Sequence, residues 1–161
     1  MKKLYFLFVA VLFMITTLES QAQLTGCWEQ ETAWATCGGG YNTGSNWQLY
    51  LVATDPSLYL LNGSLPLIAG QNSIMGRVDT YQEYIGGPVT LTFFINEGWK
   101  MDINQGENVK IDTFDEMVIK LIPGKFEYKY SETENYFVIS GIPTAKYYAI
   151  HLDVLRPVDC H

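Results

Sequence analysis

The chain has 161 residues and a formal net charge of −7, so nucleic acid and other polyanions are disfavoured as partners. Aromatic residues make up 14% of it and Ala-, Glu- or Lys-rich helical stretches are lacking, a balance that favours β structure in one domain. Three cysteines allow one disulfide and leave one thiol over.

Residues 1–22 read as a secretory signal peptide, with Lys2 and Lys3, the wholly apolar run Leu4 to Ile15, and Ser20-Gln21-Ala22 as a small-x-small cleavage site. As a helix the run spans only ~18 Å, too short for a ~30 Å hydrocarbon core. The expected product is a secreted or periplasmic domain of residues 23–161 with no transmembrane segment. Removing two lysines and one glutamate shifts its net charge from −7 to about −8.

From Trp28 onward the pattern has period two. Trp28, Gln30, Thr32 and Trp34 alternate with a row that includes Glu29 and Glu31, giving one aromatic and one charged face. Further strands are expected at Trp47 to Ala53, Ser57 to Leu61, Ile74 to Ile85, Val89 to Ile95, Trp99 to Ile103, Met117 to Ile122, Phe126 to Tyr130, Tyr136 to Ser140 and Tyr147 to Leu155. Breakers such as Gly86-Gly87-Pro88, Pro123-Gly124 and Gly141-Ile142-Pro143 separate them. "VTLTFFINEGWKMDI" reads as a hairpin turning at Asn96-Glu97-Gly98, and "KIDTFDEMV" leaves room for a short helix. Eight to ten short strands joined by tight turns imply an all-β antiparallel barrel or sandwich.

Chemistry is sparse along these strands. His151 falls within a strand, His161 is the last residue, and no metal-binding spacing joins them, so neither a metal nor another cofactor is expected. "DINQGEN" starts like a calcium loop but has Glu107 where an EF-hand needs Gly, and reads as a plain turn. Arg77, Asp79, Tyr81 and Glu83 share one row. Facing inward they would orient a polar ligand head, and facing outward they form a solvated surface. The aromatic candidates for lining a cavity are Trp34, Trp47, Phe93, Trp99 and Tyr128, with Tyr81 and Glu83 as the polar candidates.

With Leu24-Thr25-Gly26-x-Trp28 opening the domain and Arg156 in the final strand "HLDVLRP", the sequence resembles the lipocalin or calycin superfamily. Thr80-Tyr81-Gln82-Glu83-Tyr84-Ile85 is similar to a pattern in small secreted bacterial lipocalin-like domains. The resemblance implies an up-and-down β-barrel closed at one end by Trp28 with Arg156 packed over it. It also implies a non-enzymatic carrier of a small, largely apolar ligand. The alternative is a filled barrel acting as a structural or interaction module toward an envelope protein, and an enzyme using Glu83 and Tyr81 ranks third.

In such a barrel the first and last strands are antiparallel neighbours, so setting Trp28 opposite Arg156 brings Cys160 near Cys27 and predicts a Cys27–Cys160 disulfide with Cys37 free. Leu24-Thr25-Gly26-Cys27 also has the residue types of a lipobox. Lipid anchoring through Cys27 would instead require Cys37 to pair with Cys160.

Overall fold

The structure, a computed structural model, describes residues 26–36, 40–43, 46–49, 51–52, 62–70, 72–116, 118 and 120–160. The expected signal at residues 1–22, the thiol of Cys37 and the strand expected at Ser57 to Leu61 lie outside these residues. The body of the fold is Trp28–Val158, while Cys27 and Cys160 belong to a second, small unit. Among the described residues no helix is long and apolar enough to cross a membrane.

The strands are β1 (Cys27–Ala35), β2 (Gly40–Thr43), β3 (Asn46–Leu49), β4 (Leu51–Val52), β5 (Gly63–Ala69), β6 (Ser73–Gln82), β7 (Val89–Ile95), β8 (Lys100–Met101), β9 (Val109–Phe114), β10 (Tyr128–Tyr130), β11 (Tyr136–Ile142) and β12 (Tyr147–Val158). The main sheet runs β10-β9-β12-β1-β5-β6-β7-β11, with β4 and β8 also on β12, and β2 pairs with β3 separately. Every registered pairing is antiparallel. The eight strands curl into a half-barrel, the all-β architecture expected of an up-and-down barrel, with β12 and β1 as neighbours.

β7 shows why these residues make strands. Val89, Leu91, Phe93 and Ile95 are buried and the residues between them are half-buried, so strict alternation lays one apolar face on the core. Leu67, Met75, Val78, Ile111, Ile142, Ile150 and Leu152 join that face, all fully buried. At one end a polar knot seals it. The Gln82 Nε2 donates to Gly87 O at 2.7 Å and to Thr144 Oγ1 at 3.0 Å, while the Tyr148 hydroxyl accepts from Ala145 N at 2.8 Å. Burial pushes the Tyr148 phenol above its usual pKa.

Several expectations are corrected. The aromatic row of β1 does not face the main core. Ala33 and Ala35 do, while Trp34 points to the opposite surface and packs with Leu121, Phe126 and Ala149 in a second cluster. The described part of 117–122 is not a strand, because Leu121 and Phe126 are drawn over that outer surface, and Pro123–Lys125 form a 3-10 turn. Val109–Phe114 is strand, where room was left for a short helix from Lys110, and its valine and isoleucine alternate into the core. The turn at Asn96-Glu97-Gly98 forms, with Trp99 N donating to Asn96 O at 3.1 Å and Gly98 at φ 88°. Yet it joins no hairpin. Both edges of β7 are taken by β6 and β11, so β8 pairs with β12.

Cys27 and Cys160 are joined by a disulfide with Cα atoms 5.2 Å apart, as the sequence predicts. It closes a loop with a sequence separation of 133, which the loop-entropy model values at about 5 kcal/mol. The Cys27→Ser/Cys160→Ser double variant should therefore unfold at markedly lower denaturant concentration than the oxidised parent. Coincident transitions would show that the bond constrains nothing. Gly76 is the tightest backbone contact: a Cβ there would lie 2.2 Å from Phe94 O and 3.2 Å from Ile95 Cα. Gly76→Ala should cost about 2 kcal/mol or more in equilibrium unfolding, since rigid β7 backbone must move.

Candidate functional site

The structure scatters the candidate residues over both surfaces of the sheet. Phe93 is fully buried and stacked on Phe137 with ring centroids 4.6 Å apart. Trp99 and Tyr128 are half-buried against the same core, Trp99 after β7 and Tyr128 on β10. Trp34 lies on the other surface. Trp47 falls in β3 opposite Asn42, and its side chain is outside the described residues. Tyr81 and Glu83 are exposed, as is Arg77, so that row faces outward and no inward polar head group is assembled. Arg77 spends its charge locally, pairing with Asp79 at 3.4 Å and lying 3.9 Å over the Phe94 ring.

The expected closure of a barrel end by Trp28 and Arg156 is corrected in its partners. The cation over the half-buried Trp28 ring is Lys100, at 4.1 Å. Arg156 is exposed and makes a forked contact with Glu29, Nε and Nη2 donating to one carboxylate oxygen at 3.0 and 2.5 Å. The reason is parity: Glu29 belongs to the charged row of β1, and the guanidinium takes a carboxylate in preference to a ring.

Described residues line two recesses on the outer surface. The first, about 150 Å³, is lined by Asp112, Phe114, Leu121 and Phe126 together with Lys120 and Lys125. Burial raises the pKa of Asp112, the bond from Thr113 N partly opposes this, and Glu127 adds to the rise. The second, about 220 Å³, is lined by Gln30, Glu31, Thr32, Asp102, Gln105 and Asp153. Its carboxylates are largely committed. Asp102 Oδ2 accepts from Gln30 Nε2 at 2.9 Å, Asp102 Oδ1 accepts from Asn104 N at 3.1 Å, and Asp153 pairs with Lys110. Among the described residues no group of three or more His, Cys, Asp or Glu is placed to hold a metal ion.

His151, which the sequence places within a strand and outside any metal-binding spacing, is buried. It sits on the outward row of β12, edge-on to Trp34 with ring centroids 4.7 Å apart, and Trp34 in turn meets Phe126 at 6.3 Å. Burial lowers its pKa from 6.5 to about 4, with Lys110 acting in the same direction and Asp153 against it. The alternation in β1 separates Trp34 from Ala33 and Ala35 without saying which row meets the main core, so the cluster was not legible from it.

Comparison with protein-family models, with curated proteins and with solved structures yields no match.

The His151 environment carries a pH dependence of defined sign. The unfolded chain binds a proton at about pH 6.5 and the folded chain only near 4, so the unfolded state holds more protons between those values and stability falls as pH drops through that window. Neutral His151 contributes roughly 3 kcal/mol above pH 6.5 relative to pH 4. Denaturant titrations of the parent and His151→Phe should differ by an amount that changes by about that much across the window. A constant difference would mean that His151 is not held neutral.

Proposed function

We propose that this chain is an exported, non-enzymatic module of the cell envelope that works through contacts of its outer surface, with its interior filled by its own side chains. The observation that carries this reading is the state of Phe93. The inward aromatic best placed to line a ligand cavity is fully buried and stacked on Phe137, with Leu67, Met75, Leu91, Ile111 and Ile150 packed into the same cluster. Outside, the sheet presents Ile74, Tyr81, Tyr136 and Val138, all exposed.

Export is supported by Lys2, Lys3 and the apolar run that follows them, and by the disulfide, which persists in oxidising compartments. Lipid attachment at Cys27 would need the sulfur that the bond to Cys160 occupies. A catalytic role finds little support, since Glu83 and Tyr81 are exposed and His151 is buried and neutral.

The second reading is the one the lipocalin resemblance implies, carriage of a small apolar molecule. The outer recess lined by Phe114, Leu121 and Phe126 favours it, but its volume of about 150 Å³ lies below the ~300 Å³ at which ligand pockets begin. Native mass spectrometry of protein purified from its own host, followed by titration with a fluorescent fatty acid, separates the two. The filled module shows the mass of the bare polypeptide and no saturable uptake. A retained small molecule, or one-to-one uptake that quenches tryptophan emission, would return the carrier reading.

A further inference from the structure

The sheet ends on one side at β11, which pairs with β7 and, among the described residues, with nothing on its other side. Its backbone parity can be read from one bond. Ile95 N donates to Asn135 O at 2.8 Å, which makes residues 95 and 135 a hydrogen-bonded pair. With the register Tyr136↔Phe94 and Val138↔Thr92, alternation turns the N–H and C=O groups of Tyr136 and Val138 away from β7, toward the open edge. The same parity reaches Ser140, just before the register shift between Ile139 and Ile142 and Gly141 at φ 85°.

Natural sheets blunt such edges with lysine, proline or an inward charge. Tyr136–Ile142 carries no lysine, proline or charge, and its register shift, a further device for turning an edge away, lies between Ile139 and Ile142, beyond Tyr136 and Val138. Its outward side chains are apolar where they are most exposed, Tyr136 at 59% and Val138 at 48%. Charges appear only at its flanks. Glu132 and Glu134 precede the strand, and Lys146 follows it.

We propose that β11 is a self-pairing edge and that its partner is β11 of a second copy of this chain, related by a two-fold axis through Val138. Antiparallel pairing about Val138 sets Val138 against Val138 and Tyr136 against Ser140 on both sides, so each backbone group turned to the open edge finds a partner. It also sends the acidic end of one strand toward the lysine end of the other. Parallel pairing would stack the acidic ends together, which disfavours it. The uncharged seam matters in a chain of net charge −7, because the closest approach of the two copies carries no like charges. The joined sheet continues the outer row Arg77, Phe94 and Tyr136, in which the Phe94 and Tyr136 rings already meet at 5.2 Å. This association concerns the chain's own assembly and holds whatever the module contacts.

The seam is short, well under the ~1,200 Å² that stable interfaces bury, so the dimer is expected to dissociate in the micromolar range. Sedimentation velocity across ~5 to 500 μM should show the mass rise from monomer toward dimer. Val138→Pro removes a donor that no described residue accepts from and should leave the melting temperature within a degree or two while weakening dimerisation at least tenfold. In a Cys37→Ser background, Val138→Cys should form an intermolecular disulfide on mild oxidation, because the Cα atoms of a hydrogen-bonded pair stand ~5.5 Å apart. Arg77→Cys, two strands away, should not. A protein that stays monomeric throughout, or a Val138→Pro variant that folds and dimerises like the parent, would overturn the proposal. If Val138→Pro fails to fold, the Val138→Cys crosslink decides alone, and its absence counts against the edge.

Discussion

Everything else in the body of the fold is arranged around β12, a strand buried on both faces. Tyr148, Ile150, Leu152 and Val154 enter the main core, while Ala149 and His151 are sealed against the opposite surface. A strand buried on one side needs only a core, but one buried on both needs a cover as well. Here the cover is residues 120–126, held by Leu121 and Phe126 against Trp34 and Ala149. The main strand path runs through β12 by way of β9 and β1, and β4 and β8 add to it, so the longest strand is also the most connected.

A buried polar group needs a partner inside the protein, and His151 Nδ1 finds none among the described residues; Asn108, by contrast, is satisfied. Its Nδ2 donates to Glu132 O at 2.7 Å and Asp102 O at 3.3 Å, and its Oδ1 accepts from Glu132 N at 2.9 Å. That one side chain ties the link between β10 and β11 to the start of β9. Asp102 caps the 3-10 turn Ile103–Gln105 and takes Gln30 as well. The acidic recess is thus a product of folding more than a vacant binding site, since most of its carboxylate oxygens already serve the backbone, an amide or a lysine.

How much was legible in the sequence depends on what each stretch faces. β7 reads directly because one side is core and the other is not, and Val-Thr-Leu-Thr-Phe-Phe-Ile alternates accordingly. The pairing of Cys27 with Cys160 was legible through the closure of first strand on last. β5 was not, because Pro66 interrupts the run and a proline ordinarily argues against a strand. β9 and the cover were misread together. Lys110–Phe114 carries helix-compatible charges, and the apolar residues of 117–122 suggest a strand until one knows that a second surface wants covering. The outward turn of Trp34 defeats pattern reading for the same reason, since periodicity separates two faces without saying which is the inside. Lys100, two residues beyond the Gly98 turn, reaches Trp28 across the fold, a proximity no local pattern contains.

The position of β1 has a consequence for how the molecule comes into being. The first strand of the domain lies between β12, the last, and β5, so one of its edges waits for the C-terminal residues to be made. A growing chain can pair β5, β6 and β7 as it emerges, but it cannot settle β1 until nearly the whole sequence is out. Contacts of such long sequence separation make assembly slow. The edge that β1 shares with β12 can therefore close only once β12 is present, whichever strands have paired before it.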